Sequence, residues 1–295
     1  MTLPDSNASM EQERVSLDAA VECVRSRFEN SPKVAIILGS GLGGLADQIE
    51  SPVCIPFSEI PGFGASTASG HRGELILGEL EGETVVAMAG RFHRYEGWSN
   101  VQVAFPVRVM SRLGARTLLV SNAAGGVSPK LKVGDLVVIR DHINLMGRPG
   151  VDFCENKTRS SSYGWGGPVR CGEVYDPELA EQCRKVGLQN GFNVHQGTYL
   201  ATLGPNYETR SEYRMMRRLG ADVVGMSTVP EVIAAAREPL KVLGISMVSN
   251  VANPDEPVVA DHAEVLEAGQ AAAVKLELIV RSLIRNCDDS ANGRE

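Results

Sequence analysis

Three interpretations fit a glycine-rich segment near the start of the chain. Gly39, Gly41 and Gly44 form a G-x-G-x-x-G pattern after a short apolar run, and Ser40 lies inside it. The pattern is typical of a dinucleotide-binding turn, in which backbone N–H groups contact a pyrophosphate. Without the rest of a dinucleotide fold, the same N–H groups and the Ser40 hydroxyl suit a small oxyanion. A tight turn that binds no ligand is the third interpretation.

The residues after the glycines do not fit a dinucleotide site. Such a site needs a full crossover helix, a second buried strand and an acidic residue about 20 positions further on. Here only 45–50 could be helical, and Pro56 and Pro61 fall where the buried strand should run. Proline cannot donate a hydrogen bond to a strand ladder, so Glu59 lies at the right distance but in the wrong context. A small oxyanion and no ligand remain as the two open interpretations.

Further polar side chains follow predicted strands. Arg91 and His93 come directly after an apolar strand predicted over 84–89, and residues two apart in extended backbone point the same way. Arginine offers phosphate a planar fork of donors, and histidine can add another donor. The segment "SNAAGG" (121–126) predicts a small-residue turn at another strand end, where the backbone can approach a ligand closely.

An aromatic ring and a carboxylate stand together before a predicted helix. Tyr207 and Glu208 could flank a flat ring that carries N–H groups, or Glu208 could only complement the helix N-terminus. Other candidates lie at further element ends: Met226 and Ser227 at a helix entry, Asn250 at a strand end and His262 in the first turn of the last helix.

Alternating strands and helices must position these groups. Strands are predicted over 34–38, 75–77, 84–89, 117–121, 135–139, 197–201, 223–224 and 242–248, and helices over 12–29, 99–113, 177–187, 209–219, 230–238 and 261–285. Buried strands that alternate with helices predict an α/β fold with a mixed or parallel sheet. Because ligands of such sheets collect at the carboxyl ends of the strands, we expect the polar groups to share one site.

The sequence contains no internal repeat and no clean interdomain linker, so we expect one domain over 1–295. T-x-x-E capping boxes are predicted at 209–212 and 228–231, with an Asp-led version at 261–264. The tails 1–10 and 286–295 are expected to be disordered. The segment 146–172 is Gly/Ser-rich and without periodicity, which is typical of a lid, a subunit contact or plain disorder.

Composition excludes several classes of protein. The chain of 295 residues is 43% hydrophobic and has a formal net charge of −7, which argues against a nucleic-acid surface. It contains neither a membrane-spanning run nor a secretory signal, so we expect a cytoplasmic protein without a membrane partner. The six cysteines and five histidines lack metal-ligand spacing, so no metal is expected.

Eight collinear segments between about 35 and 283 resemble the trimeric purine nucleoside phosphorylases: "GSGLGGL", "GHRGEL", "GRFHRYEG", "SNAAGG", "GDLVVIRDHIN", "GPNYET", "GMSTVPE" and "DHAEVLEAG". The resemblance implies a single α/β domain with a central mixed, partly barrel-like sheet flanked by helices. It also implies purine salvage, in which phosphate attacks the anomeric carbon of a purine (deoxy)ribonucleoside and releases the base and (deoxy)ribose 1-phosphate. Inorganic phosphate would be the co-substrate of a homotrimer that needs no cofactor.

The resemblance assigns a role to each matching residue. Phosphate would be held by Ser40, Arg91, His93, Ser227 and the backbone N–H of Ala123, with His71 in support. The purine would contact Tyr207, Glu208, Val224 and Asn250. The ribose would contact Tyr95, Met226, His262 and, from a neighbouring subunit, Tyr163, with Phe153 and Trp165 as alternatives to Tyr163. Catalysis would depend on Asn250, Glu208 and His93.

Asn250 also bears on substrate choice. The sibling methylthioadenosine phosphorylases have an aspartate at this position, which suits a 6-amino purine, so the asparagine predicts a preference for inosine and guanosine. Three alternatives remain open at this point: a methylthioadenosine phosphorylase, an NAD-dependent oxidoreductase and a non-catalytic nucleoside-binding module.

Overall fold

Nine strands form one mixed sheet in the computed structural model, which describes residues 6–39, 43–64, 72–147, 174–255 and 262–287. They are β1 (Val34–Leu38), β2 (Glu50–Pro56), β3 (Glu74–Leu80), β4 (Glu83–Ala89), β5 (Thr117–Gly126), β6 (Leu136–Asn144), β7 (Val194–Ala201), β8 (Val223–Gly225) and β9 (Lys241–Val251). The strand order is β2-β3-β4-β1-β5-β8-β7-β6-β9, and β5 also pairs with β9. This last pairing closes the five strands from β5 to β9 into a barrel, from which the other four extend.

Helices cover both faces of the extended sheet. They are α1 (Ser6–Arg25), α2 (Asn100–Leu113), α3 (Pro177–Gln189), α4 (Arg210–Leu219), α5 (Val229–Ala235) and α6 (His262–Arg285). Side chains alternate along a strand, so β1 sends Ala35 and Ile37 into a core shared with α1, α2 and α5. Its other residues enter a second core shared with α3 and α6. The predicted α/β fold with a mixed, partly barrel-like sheet is confirmed.

Strand β2 was absent from the sequence prediction. Its prolines are tolerated because β2 is an edge strand that pairs only with β3, in antiparallel orientation, and most of its residues are exposed or half-buried. Pro52 lies within the register shift between Glu50 and Val53, and Pro56 ends the strand. The segment after the glycine loop is therefore not the second strand of a dinucleotide fold.

Two expectations for the strand ends and the N-terminus were wrong. Residues 121–126 do not turn but continue β5, because they pair with β9 on one side and, at Gly125 and Gly126, with β8 on the other. Helix α1 spans Ser6–Arg25 and not the predicted 12–29, while the expected disorder of the terminal residues stays a prediction. Asn286 and Cys287 continue from α6 in a hydrogen-bonded turn, and 288–295 lie outside the described residues.

Helix α4 is capped as its sequence predicts. The Thr209 hydroxyl accepts from the backbone N–H of Glu212, and the Glu212 carboxylate accepts from the backbone N–H of Thr209. Within the described ranges, no helix has the length and apolar character needed to cross a membrane.

Close contact between β1 and β5 makes Gly39 a sensitive position. A Cβ atom there would lie 2.7 Å from the backbone oxygen of Ser121 and 2.8 Å from the Cα of Asn122. Because backbone atoms cannot move aside as a side chain can, we expect Gly39→Ala to lower the free energy of unfolding by about 1–3 kcal/mol. Equilibrium unfolding in urea measures this value.

Gly44→Ala is the matched control. A Cβ at Gly44 meets nothing within 4 Å, and we expect a change within about 0.5 kcal/mol. Equal unfolding free energies for the two variants would contradict the close approach of the two strands at Gly39.

Candidate functional site

A cavity of about 360 Å³ lies where β5, β8 and β9 meet the segments that follow β4 and precede α4. Ten of the residues singled out from the sequence line it: Arg91, His93, Tyr95, Ala123, Tyr207, Glu208, Val224, Met226, Ser227 and Asn250. Six others cannot be compared, among them Phe153 and Trp165, which lie outside the described residues. Ser40, His71 and Tyr163 lie outside the described residues, and His262 begins α6 but its side chain is not among those described.

Arg91 is held by two partners although it is almost fully buried. Its Nη1 atom donates to Ser227 Oγ at 3.0 Å, and its Nε atom lies 3.2 Å from Glu231 Oε1. The side chains of Arg91 and Glu231 are both only 2% exposed. Burial raises the pKa of Glu231, while the positive charge of Arg91 opposes that rise. Arg91 in the cavity wall is therefore backed by a buried carboxylate, with which it forms an ion pair.

The expected capping box at 228–231 is wrong, and this error concealed Glu231. Thr228 has a φ of 72°, and its side chain makes no capping hydrogen bond to α5. Its hydroxyl instead accepts from Asn122 Nδ2 at 2.9 Å and lies 3.1 Å from Ser227 Oγ. A signal was present in the sequence, because Glu231 is the one acidic residue of an otherwise apolar helix.

Ser227 is also fixed from the barrel side. Its backbone N–H donates to the hydroxyl of Tyr199 at 3.3 Å, and Tyr199 is fully buried. Burial raises the pKa of Tyr199, so the phenol stays protonated. A Cβ at Gly225 would collide with that hydroxyl, which explains the glycine at the end of β8.

His93 is oriented by a carboxylate that the sequence analysis overlooked. Its Nδ1 atom lies 2.8 Å from Glu96 Oε1, and the same oxygen accepts from the His93 backbone N–H at 2.9 Å. The ring stacks on Tyr95 with centroids 4.7 Å apart. A carboxylate at Nδ1 fixes the direction in which the opposite ring nitrogen points. Burial, and secondarily the charge of Glu96, raise the pKa of Tyr95.

A β-bulge aims Asn250 into the cavity. The register of β5 and β9 shifts between Ala124 and Gly125, so that Gly125 lies opposite Asn250 and Ser249 is the extra residue. The Ser249 hydroxyl donates to Asn250 Oδ1 at 3.0 Å and lies 3.3 Å from the backbone oxygen of Ala124. Since the amide oxygen is held by Ser249, the Nδ2 atom is the group that Asn250 presents as a donor.

Glu208 and Tyr207 differ in how far they are preorganised. Glu208 Oε1 accepts from Thr202 Oγ1 at 3.1 Å, which ties the carboxylate to the end of β7. Tyr207 is 80% exposed, so its ring lies at the rim of the cavity and is not packed against the wall. Tyr213 lies nearby, where burial, with the charge of Glu208 as a second cause, raises its pKa.

The described side chains give no support to a metal site. Within the described part of the chain, no group of three or more His, Cys, Asp or Glu side chains could hold a metal ion.

The Thr228 hydroxyl is expected to stabilise the fold through its bond to Asn122. Thr228→Val keeps the β-branched shape and the strained backbone but leaves the Asn122 amide, which is 2% exposed, without this acceptor. We expect the free energy of unfolding to fall by about 1–3 kcal/mol. Thr228→Ser keeps the hydroxyl and serves as the control. Urea unfolding compares the two, and an equal loss in both variants would contradict the role of this hydrogen bond.

Comparison with known proteins places the chain among enzymes of one family. The family model described as the phosphorylase superfamily matches residues 33–285. Purine nucleoside phosphorylase 1 of Geobacillus stearothermophilus is 45% identical over 276 residues, which cover 92% of this chain and 98% of that protein. The purine nucleoside phosphorylase of Rattus norvegicus is 45% identical over 273 residues, which cover 90% and 92%.

Solved structures agree with these relatives. Isoform 2 of the purine nucleoside phosphorylase of Schistosoma mansoni, in complex with cytosine and ribose-1-phosphate, matches with a TM-score of 0.79 and 38% identity over 92% of this chain and 96% of that chain. A Schistosoma mansoni purine nucleoside phosphorylase in complex with adenosine matches with a TM-score of 0.78, 38% identity and the same coverage.

Proposed function

The chain belongs to the phosphorylase superfamily and, within it, to the purine nucleoside phosphorylases, and we propose that it cleaves inosine, guanosine and their deoxy forms with inorganic phosphate. One observation carries the proposal. A single cavity is lined by a buried arginine–serine pair suited to an anion and by a carboxylate and an amide suited to a purine.

Arg91, Ser227 and His93 are proposed to bind phosphate. Arg91 and His93 are each buried and held by a carboxylate, and Ser227 is fixed by Tyr199 and Arg91. Ala123 lines the same cavity, and its backbone N–H joins the set in the proposal. Preorganised donors place the phosphate for attack on the sugar without a cost of ordering them at the moment of reaction. Ser40 and His71 complete this set in the proposal, on the resemblance alone.

Asn250 and Glu208 are proposed to bind the purine. The glycosidic bond breaks with positive charge on the sugar and negative charge on the leaving base, as in glycoside hydrolysis. Asn250 Nδ2 donates toward N7 and the 6-oxygen, where that negative charge develops, while Glu208 accepts from the ring N–H groups. Tyr207 covers the base from the rim, and Val224 lines its pocket.

The nucleophile in this reaction is the bound phosphate, so a pair of catalytic carboxylates is not required. Tyr95, Met226 and His262 are assigned to the ribose in the proposal, with Tyr163 of a neighbouring subunit. A homotrimer, a cytoplasmic location and independence from cofactors are parts of the same proposal.

The hydrogen bond from Ser249 favours a 6-oxopurine. Because Asn250 Oδ1 accepts from Ser249, one of its two lone pairs is occupied, and the Nδ2 donors of the amide match the acceptors N7 and O6. A 6-amino group is itself a donor at that position and would face the Asn250 amide N–H groups. This contact separates the proposed activity from that of a methylthioadenosine phosphorylase.

The first test is base release from inosine, guanosine, adenosine and methylthioadenosine, each with and without inorganic phosphate. We expect release from inosine and guanosine only, and only with phosphate. Cleavage is the readout because a related enzyme has been solved with adenosine bound, so binding alone does not discriminate. Release without phosphate would show a hydrolase, and no release from any of the four would show a binding module.

A second test changes the discriminating residue. Asn250→Asp replaces the donor by an acceptor, so the new carboxylate faces the acceptor atoms of inosine. We expect the ratio of kcat/KM for inosine to that for adenosine to fall by about tenfold or more, because this mismatched polar contact penalises inosine. Asn193→Asp is the control, because Asn193 is exposed before β7 and its charge change is the same. An unchanged ratio in Asn250→Asp would exclude Asn250 as the discriminating residue.

A further inference from the structure

We propose that Glu231 is a positioning residue for phosphate, whose carboxylate orients the guanidinium of Arg91. This inference rests on the proposed function in one respect, namely that phosphate is the anion Arg91 binds. Glu231 is not a lining residue of the cavity, so it acts through Arg91 and not on the substrate.

The geometry gives Arg91 two anchors on different atoms. Glu231 Oε1 lies 3.2 Å from Nε, and Ser227 Oγ accepts from Nη1 at 3.0 Å. The contact at Nε is an ion pair and the contact at Nη1 is a hydrogen bond, and because a guanidinium is planar and rigid, the two together restrict the orientation of the whole group.

The surroundings of Glu231 do not otherwise call for a charged residue. Val229, Val232 and Ala235 of α5 are fully buried in the apolar core beside α2, and Glu231 is buried among them. Taking a carboxylate out of water is costly unless it is paired, and here the charge of Arg91 opposes that cost first and the backbone N–H groups of Glu231 and Thr228 second.

The backbone before α5 brings Glu231 and Ser227 to the same arginine. Thr228 lies between them with a φ of 72°, a conformation that is rare for a β-branched residue and that the hydrogen bond from Asn122 supports. Thr228 therefore connects Ser227, which faces the cavity, to Glu231, which lies behind Arg91.

The test measures the binding of inorganic phosphate directly. Glu231→Gln keeps the size of the side chain but removes the charge, and we expect calorimetric titration of phosphate into the full chain to show binding weaker by about tenfold. The dissociation constant of free hypoxanthine, measured without phosphate, is expected to stay within twofold. A residue that only supports the fold would weaken both ligands together.

Glu238→Gln is the matched control. Glu238 follows α5, is half-buried, and pairs with Arg108 at 3.8 Å and with Ser111 at 3.2 Å, away from the cavity. We expect both dissociation constants to be unchanged in this variant. Glu231→Asp is a second variant, which retains the charge but shortens the reach to Arg91. We expect this variant also to lose phosphate affinity selectively, and it replaces Glu231→Gln in the test if Glu231→Gln does not fold.

Two results would overturn the inference: phosphate binding within twofold of wild type in both Glu231 variants, or an equal loss of phosphate and hypoxanthine binding. Failure of the proposed function looks different. A wild-type chain that binds phosphate but releases no base would refute phosphorolysis, while the selective effect of Glu231 on phosphate would still be measurable.

Discussion

The parallel pairing of β5 with β9 is the constraint on which the rest of the site depends. It closes the barrel, and it continues beyond the end of β1 to Gly126 and Val251. Along this extension the two strands present Ala123 and Asn250 to the same cavity, while β8 adds Val224 through its own pairing with β5. The small residues of β5 allow this approach, since a side chain at Gly126 would press on Val248 and Val251.

Much of the fold could be predicted because the buried strands carry a strong local signal. Strands β1, β5, β6 and β9 each contain an apolar run, and β1 was predicted with its observed bounds. The signal fails where tertiary pairing overrides local preference. The segment 121–126 is rich in small residues, which is typical of a turn. Pairing with β9 on one side and with β8 on the other nevertheless extends it as a strand. Strand β2 contains prolines that only an edge position tolerates.

The site residues also divide into those that could be predicted from the sequence and those that could not. Most residues that face the cavity could be found from their types and their places at the ends of strands and helices, Tyr95 and Val224 were assigned by the family resemblance, and ten of the assigned residues line one cavity. The residues behind them could not. Glu231 matched a capping box, and the pattern alone does not reveal that Thr228 adopts a positive φ and releases the carboxylate to Arg91. Ser249 acts through a bulge, which depends on the register of two strands distant in sequence.

The closure of the barrel has a consequence for how the protein behaves in concentrated solution. Because β9 returns to β5, every described strand except β2 has a neighbour on both sides. Among the residues that the structure describes, the nine-stranded sheet therefore has one open edge. Pro52 and Pro56 remove two N–H groups from that edge, and the register shift interrupts the ladder beside Pro52. Such an edge is a poor template for another strand, so the architecture resists edge-to-edge aggregation.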